Sequence, residues 1–141
     1  MPKNNINQWS LALLRAVLGV MFTYHGYAKL FAPGAFKVTI GFFTAIGIPF
    51  PQYTALLVAV AEFFGGLFLL FGMVTRWTAL ALILEMLVAL FKVHFKQGFF
   101  IMPPAYGYEF VLLILAALVV VLANGAGKIS VGKLFKSKNL Q

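Results

Sequence analysis

The chain has 141 residues, of which 62% are hydrophobic and 10% are charged, and its net charge is +8. Soluble domains average about 45–50% apolar and about 25% charged residues, so a soluble fold of this length could not bury so much apolar surface. The eleven Lys and Arg residues gather at the ends of apolar segments and in the C-terminal tail, which favours anionic lipid headgroups over nucleic acid as their partner.

Four apolar segments each approach the roughly 20 residues that a helix needs to cross a bilayer. They run over about 9–31, 53–71, 77–95 and 106–123, and a basic tail follows at 124–141. We therefore predict an all-α membrane protein, a single domain built as a four-helix transmembrane bundle. The first segment could instead be a cleaved signal peptide, but Arg15, His25 and Lys29 interrupt its apolar run, which favours a retained span.

Two of the predicted loops carry apolar residues of their own. The segment 36–46 in the first loop is apolar but too short to span, so we predict an interfacial or re-entrant helix there. The third loop, 97–105, could lie in the headgroup layer or cap a cavity. Packing at the membrane surface would account for both segments.

The distribution of positive charge predicts the orientation of the bundle. Four spans place both termini on one side, which then carries most of the cations: Lys3, Arg76, Lys128, Lys133, Lys136 and Lys138. Because cytoplasmic loops carry the excess of Lys and Arg, we predict that both termini are cytoplasmic.

The ionisable residues inside the predicted spans are the candidate functional groups. All three carboxylates, Glu62, Glu85 and Glu109, lie within spans, and Arg15 and His25 lie within the first. A charge at the bilayer centre costs about 3 kcal/mol on insertion scales, so such groups turn inward and find partners. In each of spans two to four the glutamate shares a helix face with Gly or Ala, the small residues that mark close helix packing.

Depth along the helices predicts how these groups combine. At about 1.5 Å rise per residue, His25, Glu62 and Glu109 fall in the outer half of the bilayer. We predict that they form one polar cluster open to the outside and suited to proton exchange, the candidate catalytic residues. The candidate substrate-binding residues around it are Arg15, Lys29, Tyr108, Glu85 and His94.

Other interpretations of the same residues stay open. The cluster could be a hydrogen-bonded network that only fixes helix packing, and for Arg15 alone a structural role is favoured. Depth also allows an Arg15–Glu85 pair.

Haem and metal are not predicted. His25 and His94 could ligate one haem only at equal depth, and His94 lies about 10 Å shallower by helix rise. Zinc suits the ligand types of His25, Glu62 and Glu109, but no metal-spacing motif supports it.

Short motifs follow one another from residue 13 to about residue 130. They are Leu14-Arg15, Leu18-Gly19, His25-Gly26, Lys29-Leu30-Phe31, Gly47-Ile48-Pro49, Ala61-Glu62, Gly65-Gly66, Gly72, Thr75-Arg76, Met86, Ala89, His94, Gly98-Phe99-Phe100 and Gly107-Tyr108-Glu109. No single motif is specific, but the ordered set resembles the DoxX family of small bacterial membrane proteins.

The resemblance implies a four-helix bundle in the bacterial cytoplasmic (inner) membrane. Family members are commonly labelled oxidoreductases or oxidoreductase subunits, some linked to quinone-dependent sulfur oxidation or to defence against oxidative and thiol stress. The family's polar positions fall on Arg15, His25, Glu62 and Glu109, whereas Glu85 does not match one. Because the chain has no cysteine and no flavin motif, a redox role would need a quinone, a bound cofactor or a partner redox subunit.

Three functions remain in view. The favoured one is an oxidoreductase subunit whose intramembrane polar site binds a quinone or another small molecule. The second is a non-enzymatic carrier of small molecules or protons, which in four short spans would require a homo-oligomer. The third is a structural assembly subunit of a membrane complex.

Overall fold

A computed structural model describes residues 5–132 of the chain, and these residues are mostly helical. The elements in order are α1 (Asn5–Phe31), α2 (Ala35–Ala45), α3 (Pro51–Phe71), α4 (Thr75–Ala89), a π-helical turn (Leu90–His94), a 3₁₀ turn (Phe95–Gln97), β1 (Ile101–Met102), β2 (Ala105–Tyr106) and α5 (Glu109–Asn124). The predicted cytoplasmic cations Lys3, Lys133, Lys136 and Lys138 lie outside the described residues.

Three helical stretches are long and apolar enough to cross a membrane. Asn7–Phe31, Pro51–Phe71 and Thr75–Gln97 contain 25, 21 and 23 residues, with mean hydropathies of 1.2, 2.2 and 1.9. Helix α5 has 16 residues, or about 24 Å, against a hydrocarbon core of about 30 Å. It begins three residues after the predicted start of the fourth span, because Ala105–Tyr106 pairs with Ile101–Met102 as a short antiparallel hairpin.

Helices α1 and α3 approach each other along glycines. A Cβ atom added to Gly26 would lie 2.3 Å from the backbone nitrogen of Phe63, and one added to Gly66 would lie 2.3 Å from that of Thr23. Both distances are far below van der Waals contact, so only glycine permits this crossing. The crossing positions Glu62, one turn before Gly66, beside the C-terminal part of α1.

The hydrophobic core fills one end of the bundle, between α1, α3, α4 and α5. Its fully buried members are Leu69, Ala79, Leu82, Leu118 and Val121, with Leu18 and Phe22 close to full burial. These residues come from the middle of α1, the first half of α4 and the C-terminal halves of α3 and α5. The opposite end of the bundle, where α2 and the hairpin lie, contains a cavity instead.

Candidate functional site

A cavity of about 1120 Å³ lies between helices α1 to α5 and the β1–β2 hairpin. Its walls are mainly apolar, with contributions from Phe42, Leu57, Leu84, Val88 and Phe110 among others. This size and a mostly apolar lining with few polar groups are typical of small-molecule sites. Two sets of polar side chains line it: His25, Lys29, Glu62 and Glu85, here called the inner group, and Lys92, His94 and Gln97, here called the hairpin group.

The inner group is built around an ion pair between helices α1 and α3. The ammonium of Lys29 contacts the Oε2 atom of Glu62, and the two side chains are 24% and 5% exposed. The glycine-packed crossing brings Lys29 and Glu62 together, three residues after Gly26 and four before Gly66. Glu62 therefore turns into the bundle, as the small residues on its helix face predict.

Glu85 adds a second carboxyl group from helix α4. Its carboxyl interacts with that of Glu62 and lies within the electrostatic field of Lys29. Its Oε2 atom is buried and has no hydrogen-bond partner among the residues that the structure describes. One ammonium and two carboxyl groups thus share the inner end of the cavity, and one carboxyl oxygen there is free to accept a hydrogen bond.

His25 lies on the cavity wall one turn before Lys29. It is the most exposed of the four side chains in the inner group, and it makes no hydrogen bond within residues 5–132. Its imidazole therefore faces the cavity with both ring nitrogens available to a ligand.

The hairpin group is positioned by the π-helical turn that follows α4. Such turns widen the face that a helix presents and occur often at functional sites. The His94 Nδ1 atom donates to the carbonyl oxygen of Tyr106 at 2.6 Å, and the Gln97 Oε1 atom accepts from the Tyr106 backbone N–H at 2.7 Å. These bonds hold the hairpin against the end of α4.

The structure places Glu109 and Tyr108 away from the inner group. Glu109 is the first residue of α5, and its Oε1 atom accepts from the backbone N–H of Ile101 at 2.7 Å. Tyr108 stacks on Phe95 with ring centroids 5.6 Å apart. Neither residue lines the cavity. The predicted cluster of His25, Glu62 and Glu109 is therefore not formed, because Glu109 closes the hairpin loop and Glu85 lies in the position expected of it.

Within the described part of the chain, no three His, Cys, Asp or Glu side chains lie close enough together to hold a metal ion.

Arg15 lies at the opposite end of the bundle from the cavity. It is 3% exposed, and its guanidinium donates to the carbonyl oxygens of Ala126 and Ile129, the latter at 2.6 Å. The Arg15–Glu85 pair that depth allows is not formed, because Arg15 reaches the carbonyl-rich segment after α5. These two backbone carbonyl oxygens accept hydrogen bonds from the buried guanidinium, so Arg15 has polar partners there without a carboxylate.

Sequence reasoning did not assign Lys92 to the site and did not place Glu85 in the inner group. A signal for both was present, since Ala81, Glu85, Ala89 and Lys92 recur at helical spacing and share one face of a helix. The sequence alone did not show which residues of the other helices this face contacts.

The comparisons with known proteins agree with this architecture. The DoxX family model matches residues 10–95. A Bacillus subtilis protein named "Putative oxidoreductase CatD" is 33% identical over 87 residues, which cover 62% of this chain and 61% of that protein, less than two thirds of its length. An uncharacterized Haemophilus influenzae protein is 32% identical over 140 residues, 96% of this chain and 99% of its own. No solved structure matches the chain.

These findings confirm the resemblance that the ordered motifs indicate. The three long apolar helices, together with the family match, identify an integral membrane protein. Because the family model covers more than half of the sequence and one relative covers nearly all of it, the chain belongs to the DoxX family.

Proposed function

We propose that this protein is an oxidoreductase subunit whose cavity binds the head group of a quinone or a similar small molecule. The observation that carries the proposal is the inner group: Lys29, Glu62 and Glu85 meet at one end of a large, mainly apolar cavity. The name of the Bacillus subtilis relative supports the reaction class.

The inner group has a donor for a quinone carbonyl oxygen, the Lys29 ammonium, and an acceptor for a hydroxyl of the reduced quinol, the Glu85 Oε2 atom. Reducing a quinone to a quinol consumes two electrons and two protons, and the protons must reach its two carbonyl oxygens. The Lys29 ammonium is placed to donate a hydrogen bond to one such oxygen. Glu85 and His25 are placed to pass protons to and from the cavity. The apolar walls strengthen these interactions by excluding water.

The electrons have to come from elsewhere. No flavin motif or cysteine is present in the sequence, so a partner redox subunit or a bound cofactor supplies them in this proposal. The protein's own contribution is then to bind, orient and exchange protons with the small molecule.

The same proposal includes an arrangement in the membrane. Helix α5 acts as a fourth span, since its buried residues Val111, Ile114, Leu118 and Val121 form one stripe facing the bundle. Both termini lie in the cytoplasm of a bacterial cell, with the cavity toward the outer face of the inner membrane and α2 at the interface. Arg76 and Lys128 at the core end support this orientation.

The test is purification in a mild detergent, followed by extraction of bound small molecules and measurement of oxidised-minus-reduced absorbance. We expect a bound quinone, with Glu85→Leu lowering the affinity of its quinol form about fivefold, the net value of one hydrogen bond, because leucine has no atom that accepts from a quinol hydroxyl. Glu109→Gln is the control, because Glu109 lies outside the cavity and glutamine keeps an oxygen for the Ile101 N–H.

A protein that folds normally yet binds no quinone and shows no redox signal would contradict the proposal. Equal effects of the Glu85 and Glu109 variants would also contradict it, since the cavity would then have no part in binding.

A further inference from the structure

The hairpin group presents one free hydrogen-bond acceptor to the cavity. The His94 Nδ1 atom faces the Tyr106 carbonyl oxygen at 2.6 Å, and because that oxygen can only accept, Nδ1 carries the hydrogen. In the neutral ring the Nε2 atom then has a lone pair and no hydrogen. His94 lines the cavity and has no second partner within residues 5–132.

The neighbouring amide of Gln97 is already satisfied. Its Oε1 atom accepts from the Tyr106 N–H at 2.7 Å, and its Nε2 atom donates to the Val93 carbonyl oxygen at 3.1 Å. The Nε2 atom of His94 is thus left to a ligand at this end of the cavity.

The inner group presents a second free acceptor, the buried Oε2 atom of Glu85. Glu85 and His94 are nine residues apart along one continuous helical stretch, a separation of roughly 13 Å by helix rise. The wall between them is mainly apolar, with Val88 and Ala89 on α4, while Lys92 lies close to the His94 end; Phe42 on α2 and Leu57 on α3 also line the cavity.

We infer that the cavity binds an elongated apolar molecule with a hydrogen-bond donor, such as a hydroxyl group, at each end. One donor meets Glu85 Oε2 and the other meets His94 Nε2, and the apolar middle lies along the wall between them. The Glu85 Oε2 atom is buried without a partner, which is costly, and a hydrogen bond to the His94 Nε2 atom adds to the affinity, so a ligand that satisfies both acceptors is favoured over one that satisfies either. The contact with Glu85 rests on the proposed function, in which the head group of the ligand lies at the inner group. The contact with His94 is additional, because it lies at the other end of the cavity, beyond the head group.

The experiment compares two linear probes of equal chain length: decanediol, with a hydroxyl at each end, and decanol, with one. Each is titrated against the purified full-length protein, and affinity is taken from the rise in the thermal unfolding midpoint. The probes partition differently into detergent, so the quantity compared between proteins is the ratio of the two affinities.

We expect His94→Asn to lower this ratio about fivefold, the value of one net hydrogen bond. Asparagine retains an N–H group for the Tyr106 carbonyl but has no atom at the Nε2 position. Lys96→Gln is the matched control, because Lys96 is exposed and does not line the cavity, and it should leave the ratio unchanged.

A measurement on the unaltered protein covers the case in which the asparagine variant fails to fold. Methoxydecanol, in which one hydroxyl of decanediol is methylated, should lose about the same factor relative to the diol once each affinity is corrected for the measured partitioning of the probe into the detergent. A ratio that does not respond to His94, or a methylated probe that binds as well as the diol, refutes the inference.

The outcomes separate this inference from the proposed function. If quinone is bound and its binding depends on Glu85, but the diol is not preferred, then the contact with His94 is refuted and the redox proposal stands. If the diol is preferred and this preference depends on His94, but no quinone is bound, then both contacts stand and the redox proposal is refuted.

Discussion

Replacing Lys29 by methionine tests whether three of the four side chains of the inner group, Lys29, Glu62 and Glu85, form one three-member unit. Methionine preserves a long unbranched side chain but removes the ammonium, so the carboxyl groups of Glu62 and Glu85 are left together without a cation. Removing one partner of a buried ion pair costs about 3–5 kcal/mol. The Lys29 side chain is 24% exposed, so we expect about 3 kcal/mol, the lower end of that range.

The informative comparison is with Glu62→Gln. That change also removes one partner of the pair, yet Lys29 keeps the Glu85 carboxyl within its electrostatic field. Because a second carboxylate is available to Lys29, the loss should be about 1 kcal/mol, the order of one hydrogen bond. Loss of the lysine should therefore destabilise the protein about 2 kcal/mol more than loss of the glutamate.

The free energy of unfolding would be measured for both variants in one detergent, by denaturant titration followed through helix content. Lys37→Met is the matched control, since it removes the same charge from an exposed position on α2 and should change stability by less than about 0.5 kcal/mol. If Glu62→Gln destabilises the protein as much as Lys29→Met, then Glu85 does not share the ammonium and the three-member unit is refuted.

Three further changes test the packing around the site. Gly26→Ala places a Cβ 2.3 Å from the α3 backbone and should lower the free energy of unfolding by at least about 2 kcal/mol. Gly41→Ala, whose Cβ would meet nothing within 4 Å, should leave stability unchanged or raise it by up to about 1 kcal/mol. The thermal unfolding midpoints of the two variants distinguish these outcomes. Val74 has a φ of 45°, so Val74→Gly should raise the unfolding midpoint by relieving about 1 kcal/mol of strain. Arg15→Gln removes both bonds to the segment after α5 and should cost about 2 kcal/mol and speed proteolysis of that segment, and unchanged cleavage would contradict the assigned contacts.

Much of the fold was predictable because its signals are local. Composition indicates a membrane protein, and the glycines near Glu62 indicate which face of α3 packs inward. The short apolar segment in the first loop is helical, as Ala35–Ala45. These inferences need only hydropathy and helical phase, which sequence records directly.

The membership of the inner group was less predictable because it depends on neighbours. Depth suggested that Glu109 joins His25 and Glu62, but that estimate assumed a helix starting at residue 106. In the structure a hairpin occupies this stretch, so Glu109 begins α5 and bonds the Ile101 N–H. Helical phase gave Glu85 an inward face without showing that Glu62 is the group it meets.

The structure also bears on whether the inner group exists only to fix helix packing. Helices α1 and α3 approach each other closely at Gly19, Gly26 and Gly66, where an added Cβ would lie within 3 Å of the facing backbone. The ion pair lies beside this interface, on the wall of the cavity, and the hydrophobic core is at the other end of the bundle. Apolar residues of similar volume often replace buried ion pairs without loss of stability. Close packing of α1 and α3 therefore does not by itself account for Lys29, Glu62 and Glu85, and the ligand proposed above gives these three side chains a role.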